Sequence, residues 1–434
     1  MLNKDILFFA GADGAGEQTI GEAGGQGFGV GVYGGDESEL AAMNLTPMDG
    51  CDDPASDNYG NYQHTNGSIM CFIPAFAYRV GNRAAPSYAR DGANALEIAD
   101  ATNFSGYEAG ASFSGNASLG DGWILHRAFV DGGRVKRGFF IDKYLCSKSA
   151  SNTNVAVSVK NGDPIELYTS NNNSSAMTGC EGRLYDAMLL GYNRGEGYSC
   201  CSCFQWAAIS MLGLAHAQAS TSADYCAWYD STNTKNYPRG NNNNLKDVDD
   251  STVTFNQAGS NAPYGLAKTG SASNFAKTTH NGQNCGITDV AGNIRQTLVG
   301  WENPSNGTEW LLKTSIAVRS ITKSNYNTSS NYDIWTSSGS SDGTYYWGAN
   351  AFFTETSGNK WASCGLRPKT LQSSGTSTFG KDYFYFNYSS SGRALCGGGY
   401  WDDSTNAGLW FRYGLDSWRS SVVYFGFRAS GYAG

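Results

Sequence analysis

The chain has 434 residues and carries 38 acidic against 30 basic side chains, which gives a formal net charge of −8. This length is sufficient for two or three domains, and the acidic balance argues against nucleic-acid binding, which needs a basic surface. Aromatic residues make up 13% of the chain, and 56 glycines stand beside only 9 prolines. Such a composition argues against long disordered segments and favours tight turns and aromatic surfaces over a helical bundle.

The sequence shows no pattern of a targeting or membrane-inserting segment. The apolar run at 6–10 is shorter than the core of about 7–15 residues of a signal peptide, and no stretch reaches the roughly 18 apolar residues of a membrane helix. The 11 cysteines are an odd number, so at least one is unpaired. Cys200, Cys201 and Cys203 do not have the spacing of a zinc site, and we predict that the cysteines are small buried side chains. We expect no metal, no other cofactor and no membrane insertion.

The first 35 residues form a glycine-rich segment. Its composition is compatible with a flexible leader and with a segment that becomes ordered only against a partner or a neighbouring subunit. We favour the second interpretation because Phe28, Val30, Val32 and Tyr33 provide apolar surface to bury. The segment 1–35 is therefore predicted to serve in attachment or oligomerisation.

Residues 36–136 form a second, β-rich unit. Its clearest element is the apolar run 69–80, which contains Pro74. A proline within a strand predicts an edge position or a bulge, because it cannot donate a hydrogen bond to a neighbouring strand.

From residue 137 onward the pattern is that of an α+β domain. Strands are predicted at 139–146 and 155–159, and apolar residues at helical spacing predict helices over 181–192 and 202–217, the second capped by Ser202. Short strands and polar loops follow, and the regularly placed aromatic residues in these loops predict that they are ordered and packed. The sequence therefore predicts an α+β fold for residues 137–434.

Four sequence blocks in residues 137–434 resemble those of a known fold family. They are Phe140-Ile-Asp-Lys-Tyr144, Tyr237-Pro-Arg-Gly-Asn-Asn-Asn243, Thr288-Asp-Val-Ala-Gly-Asn-Ile-Arg-Gln296, and Gly397-Gly-Gly-Tyr-Trp401 closed by Gly426-Phe-Arg428. In this order they resemble the formylglycine-generating-enzyme type of C-type lectin fold. Within that group the chain is similar to the variable proteins of diversity-generating retroelements, which include tropism-determining phage tail proteins. The resemblance implies two helices, short antiparallel strands and many ordered loops over 137–434.

A shorter upstream match is similar to segments that precede this domain in phage tail proteins. It consists of Met70–Pro74 and the stretch from His126 to Gly133. Together the matches divide the chain into a glycine-rich segment 1–35, a β-rich unit 36–136 and a lectin-type domain 137–434.

The resemblance also implies a display region at about 399–428, where outward side chains are interchangeable on a fixed framework. The fixed positions carried over are Gly398, Gly399, Trp401, Asn406, Ala407, Gly408, Gly426, Phe427 and Arg428. The ligand-binding candidates are Tyr400, Asp402, Asp403, Phe411, Tyr413, Leu415, Asp416, Ser420, Val422 and Tyr424. Their mixture of tyrosine, serine and aspartate is typical of binding surfaces, although an aromatic-rich core is the alternative interpretation.

Residues 420–427 alternate in the manner of a final strand. Period-2 geometry places Phe425 and Phe427 on one face, which we expect to enter the core. Ser420, Val422 and Tyr424 would then face outward.

The function implied by the resemblance is that of a non-enzymatic phage receptor-binding protein. Expected partners are a bacterial surface receptor, protein or glycan, and other tail or fibre proteins contacted through the N-terminal region. Expected assembly is a homotrimer at the tail tip or fibre of the virion. No nucleic acid is expected among the partners.

Two alternative functions were weighed against this one. An oxidase of the formylglycine-generating type needs redox-active cysteines near the C-terminal blocks, but 400–428 contains no cysteine and Cys396 precedes the glycines. A cellular, surface-displayed variable protein is the other alternative.

His216 is expected to be an ordinary helix residue, and the acidic residues Asp247, Asp249 and Asp250 are predicted to form a solvated loop rather than a calcium site.

Overall fold

The computed structural model describes residues 19–169, 174–231, 238–242, 252–255, 265–305, 308–336, 343–375, 378–379, 381–386 and 390–433. Over these residues the chain is an α+β protein with few helices and many short strands, as the sequence predicts. None of the helices within these ranges is long and apolar enough to cross a membrane.

Five helices are present in the described ranges: α1 Glu37–Ala42, α2 Tyr88–Asp91, α3 Asp186–Tyr192, α4 Cys203–Ala219 and α5 Gly358–Ala362. The predicted capping of α4 is confirmed, because the Ser202 hydroxyl accepts a bond from the Gln205 N–H at 3.1 Å and the Gln205 side chain accepts from the Ser202 N–H at 2.8 Å. Helix α3 begins later than the predicted residue 181. The Asp186 carboxylate accepts the N–H groups of Glu181 and Arg183, which holds the preceding residues in a turn.

A six-stranded sheet joins the two larger predicted units. Its order is β1 Leu45–Pro47, β2 Asn61–His64, β3 Ile69–Pro74, β10 Gly138–Asp142, β22 Ala429–Gly431 and β13 Tyr198–Cys200. The predicted boundary at 136/137 therefore passes between paired strands, with Phe140 opposite Phe72 in the β3–β10 register. Residues of 36–136 and of 137–434 share one sheet and one continuous apolar core.

Four strands of the 36–136 unit form a separate sheet in the order β5 Leu96–Asp100, β4 Phe76–Val80, β7 Trp123–Leu125 and β6 Ser118–Gly120. Pro74 is the last residue of β3, and only Ala75 separates it from β4 in the other sheet. The chain therefore passes from one sheet to the other directly after this proline. Two small hairpins pair β8 Val130–Asp131 with β9 Arg134–Val135 and β11 Cys146–Lys148 with β12 Ala156–Ser158. The predicted strand 139–146 is therefore divided between β10 and β11.

The largest sheet carries the C-terminal blocks. Its order is β16 Tyr332–Thr336, β15 Thr308–Leu312, β14 Arg295–Ser305, β19 Arg393–Gly398, β20 Gly408–Gly414, β18 Tyr383–Phe386 and β17 Gly343–Tyr346, and β21 Phe425–Gly426 pairs parallel with β14. Helix α4 covers one face of this sheet, because the Trp206 indole donates to the Leu409 carbonyl at 3.1 Å. A Cβ at Gly397 would lie 2.6 Å from that indole nitrogen, so only glycine allows this close approach.

The described part of the glycine-rich segment, 19–35, packs on its own chain. Phe28 is fully buried and its ring stacks on His216 of α4 at 5.3 Å. The Gly24 N–H donates to His216 Nδ1 at 3.0 Å, and the Asn281 side chain donates to the Phe28 carbonyl at 2.8 Å. Residues 19–35 therefore contact α4 and Asn281 of their own chain, and their role in attachment or oligomerisation stays a prediction. His216 is a satisfied, buried helix residue.

Three of the four sequence blocks meet at Arg428, which is fully buried. Its guanidinium donates to the carbonyls of Asp142 and Lys143 at 3.0 Å, and to the Gln296 side chain at 2.6 Å. It also donates to the carbonyl of Thr288, at the start of the third block. One buried cation therefore binds acceptors from the first and third blocks, and its hydrogen bonds hold these blocks against the C-terminal one.

Candidate binding surface

The face of the largest sheet opposite α4 is lined by aromatic side chains. Along β18, Tyr383 and Tyr385 are half-buried while Phe384 and Phe386 are fully enclosed, so the tyrosines point away from the helix side. Tyr385 lies opposite Tyr413 of β20 in the register, and their rings stack at 5.8 Å. We call this face, with the loop residues that adjoin it, the tyrosine face.

Arg295 lies at the centre of the tyrosine face. Its guanidinium forms a two-point ion pair with Asp403, at 2.7 and 3.1 Å, and both side chains are about 95% enclosed. The same guanidinium lies 3.9 Å from the ring centre of Tyr413, 4.5 Å from that of Tyr400 and 5.0 Å from that of Tyr424. Burial alone lowers the pKa of Arg295, but the Asp403 carboxylate outweighs burial and raises it. The cation is therefore permanent and holds three tyrosines from separate segments around one point.

The accessible edge of this cluster is formed by Tyr400 and Tyr424, whose ring centres are 4.8 Å apart. Both side chains are half-buried, so part of each ring faces solvent. Burial raises the pKa of Tyr400 to about 12, so its hydroxyl keeps its proton and can both donate and accept a hydrogen bond.

Residues 415–424 form a loop that is fixed at several points. The Trp418 indole donates to the buried carboxyl of Glu302 at 2.8 Å, the Asp416 carbonyl accepts the Ala394 N–H at 2.8 Å, and the Val422 N–H donates to the Leu167 carbonyl at 3.1 Å. Side chains carried by this loop are therefore held in place before any ligand arrives, which reduces the entropy lost on binding.

Seven of the ten predicted binding residues have accessible surface. Asp402 is exposed, and the half-buried ones are Tyr400, Leu415, Asp416, Ser420, Val422 and Tyr424. Asp403, Phe411 and Tyr413 are buried, and Phe411 has no exposed surface at all. They differ from the expected outward display because Asp403 is paired with Arg295, and the rings of Phe411 and Tyr413 pack against Tyr383 and Tyr385. Tyr413 and Asp403 contact Arg295 instead, so they support the surface from below.

The predicted final strand over 420–427 is wrong in its extent. Only Phe425–Gly426 pairs as β21, whereas residues 420–422 are irregular and residues 423–424 form a turn. Phe425 and Phe427 do enter the core as predicted. Residues 420–424 do not form the strand that their alternating polarity predicts. The Trp418–Glu302 bond and the Val422–Leu167 bond hold this part of the chain away from a neighbouring strand.

Tyr383, Tyr385 and Arg295 were missed as site residues by the sequence analysis. The alternation Tyr383-Phe384-Tyr385-Phe386 is a strand signal that points the two tyrosines to one face. Arg295 lies within the third sequence block, but no local pattern connects it with Asp403, 108 residues away.

Glu302 gives the loop anchor a pH dependence. Burial raises the pKa of Glu302 from 4.5 to about 8, opposed by the hydrogen bond from Trp418. Between these two pH values the folded state holds a proton on Glu302 that the unfolded state releases. The contribution of Glu302 to the free energy of unfolding is therefore fully present below pH 4.5 and is lost as pH rises toward 8.

We therefore expect Glu302→Gln, which cannot ionise, to gain stability relative to the natural chain as pH rises. Between pH 5 and pH 8 the gain should be about 3 kcal/mol. Denaturant unfolding at both pH values, followed by tryptophan fluorescence, measures it. A difference between the two proteins that does not change with pH would show that Glu302 is ionised in the folded protein.

All 11 cysteines carry free thiols, and ten of them are buried. This confirms the prediction of small buried side chains. Burial raises the pKa of the Cys396 thiol well above its ordinary value, so it stays protonated beneath the tyrosine face. Across the described ranges no group of three or more His, Cys, Asp or Glu could hold a metal ion. The acidic stretch with Asp247, Asp249 and Asp250 lies outside the described residues.

The described residues define an α+β protein with an aromatic surface on one face of its largest sheet. The chain matches no family model and no curated protein. Among solved structures it is similar to three Major Tropism Determinant variants. The U1 variant is 10% identical with a TM-score of 0.31, covering 92% of this chain and 88% of that chain. The M1 variant is 11% identical with a TM-score of 0.30, over 93% and 85%, and the I1 variant is 9% identical with a TM-score of 0.29, over 86% and 81%.

Proposed function

We propose that this chain is a receptor-binding protein of a phage and that the tyrosine face binds the bacterial surface. The observation that carries the proposal is the Arg295–Asp403 pair, around which tyrosines of separate segments are assembled into one half-exposed patch. A core has no need of such a patch, whereas binding surfaces are enriched in tyrosine with polar residues around it. The proposed activity is adhesion without chemistry.

The arrangement around the patch supports binding by a rigid surface. Strands β20 and β18 carry the inner tyrosines, and α4 packs against their other face. Asp402, Asp416 and Ser420 provide accessible polar groups near the rings. Aromatic anchors give contact area with few rotatable bonds, and the polar groups select among ligands by hydrogen bonding.

The finer features of the proposal rest on the sequence resemblance. They are a C-type lectin framework for 137–434, a display region at 399–428 diversified at its accessible positions, and a homotrimer at the tail tip or fibre of the virion. Multiple copies would let weak single contacts sum to firm attachment. The receptor, protein or glycan, is the expected partner of the tyrosine face, and other tail proteins are expected to contact the N-terminal region.

The double variant Tyr400→Ser with Tyr424→Ser tests the tyrosine face. We expect it to reduce binding of the purified protein to intact host cells at least tenfold, because two aromatic anchors are lost together. Competition with phage adsorption measures the loss, and the melting temperature should change little because both rings are partly exposed.

Tyr225→Ser is the matched control, since Tyr225 is a tyrosine with 43% of its surface exposed outside the tyrosine face. It should leave adsorption unchanged. If the Tyr400–Tyr424 variant is folded and competes as well as the natural chain, the tyrosine face is not the receptor site.

A further inference from the structure

A second surface feature is a groove along α3. Two depressions of about 460 and 430 Å³ share Tyr185 and Lys323 in their walls, so they adjoin, and we call them together the groove. Each has the size of a small-molecule site, which is typically about 300–1,000 Å³. The function proposed above does not use this groove.

One half of the groove is apolar. Its wall is formed by Met188, Leu189 and Tyr192 of α3 together with Tyr185. Tyr192 is 49% exposed and is one of three large apolar side chains that are exposed in the described part of the chain. The Asp186 carboxylate also lines this half, but it accepts the N–H groups of Glu181 and Arg183. The main chain of α3 is bonded within the helix, so the wall offers apolar side chains and few free backbone groups.

The other half of the groove is cationic. Arg183, Lys323 and Arg419 line it with a single carboxylate, that of Glu181. Glu181 is already bound by Lys323 and by the Tyr185 hydroxyl. Arg183 donates to the Arg419 carbonyl at 3.1 Å, and within the described ranges neither arginine forms an ion pair with a carboxylate. In a chain of net charge −8, this local excess of positive charge favours an anionic ligand.

We propose that this groove binds a single-chain lipid phosphate, with the acyl chain in the apolar half and the phosphate between Arg183 and Arg419. Guanidinium groups bind phosphate oxygens through paired, charge-assisted hydrogen bonds. Each methylene transferred from water to the apolar half should tighten binding about fourfold. An acidic peptide fits less well, because its main chain would lose water without finding partners along α3.

The test uses the purified full chain and dodecyl phosphate below its critical micelle concentration, followed by isothermal titration calorimetry. We expect one molecule bound per chain, with inorganic phosphate at least tenfold weaker because it lacks the chain. Dodecyltrimethylammonium, which has the same chain and the opposite charge, should not bind measurably. Equal binding of the two amphiphiles, or tighter binding of an acidic peptide, would overturn the proposal.

Variants separate the two halves of the groove. Arg183→Ala with Arg419→Ala should weaken dodecyl phosphate at least tenfold, and Leu189→Asn should weaken it by shortening the apolar contact. Arg83→Ala is the control, because Arg83 is an exposed arginine outside the groove. The Tyr400→Ser, Tyr424→Ser protein should bind dodecyl phosphate normally, which keeps this proposal separate from the receptor site. Undiminished binding by the folded double arginine variant would place the ligand elsewhere.

Discussion

Replacement of Arg428 by lysine is expected to lower the free energy of unfolding by about 3 kcal/mol or more. The Arg428 guanidinium satisfies the Asp142, Lys143 and Thr288 carbonyls and the Gln296 side chain at once, inside a fully buried site. A lysine has one nitrogen with three donors and cannot reach this spread of acceptors, so some are left buried without a partner at a cost of about 1–3 kcal/mol each.

Guanidinium unfolding followed by tryptophan fluorescence measures this loss. Arg83→Lys is the matched control, since the same exchange at an exposed arginine should change stability by less than about 0.5 kcal/mol. If Arg428→Lys unfolds at the denaturant concentration of the natural chain, the network around Arg428 does not hold the sequence blocks together.

The second large loss in the free energy of unfolding is expected when one partner of the Arg295–Asp403 pair is replaced. Arg295→Met alone leaves the Asp403 carboxylate buried without its partner, and Asp403→Leu alone leaves the guanidinium in the same situation. Removal of one partner of a buried ion pair costs about 3–5 kcal/mol, whereas replacement of both by apolar residues is often nearly neutral. We therefore expect the double variant to be more stable than either single one.

Cell binding should not recover in that double variant. Without the guanidinium, the rings of Tyr400, Tyr413 and Tyr424 lose the contact that gathers them, so the patch loses its shape even though the sheet persists. Unfolding free energies of the three variants, compared with adsorption competition by the same proteins, separate the two effects. A double variant that binds cells as the natural chain does would show that the ion pair serves stability alone.

The tyrosine face shows how far local sequence patterns reach. Gly398, Gly399 and the closing Phe427 and Arg428 were assigned to a fixed framework, and the structure gives each a packing or hydrogen-bonding reason. Residues 420–424 of the loop were predicted as part of a strand because their polarity alternates with that of Phe425 and Phe427. Alternation records only the polarity of successive residues, whereas the Trp418–Glu302 bond across 116 residues decides the path of this loop.

The predicted domain boundary has the same limitation. The boundary at 136/137 was drawn from the sequence matches, whereas in the structure Phe140 pairs with Phe72 across it and the core continues through it. Pairing between strands that are distant in the chain cannot be recognised from the local amino-acid composition.

The sequence by itself determined the α+β class, the position and capping of α4, and the burial of the cysteines. These follow from periodicity, side-chain size and glycine requirements, which act over a few residues. Only the tertiary structure decided that Phe411 and Tyr413 lie beneath the surface, that Tyr383 and Tyr385 join it, and that Arg295 stands at its centre. Accessibility depends on which distant segments cover a strand, and that is settled by packing of the whole chain.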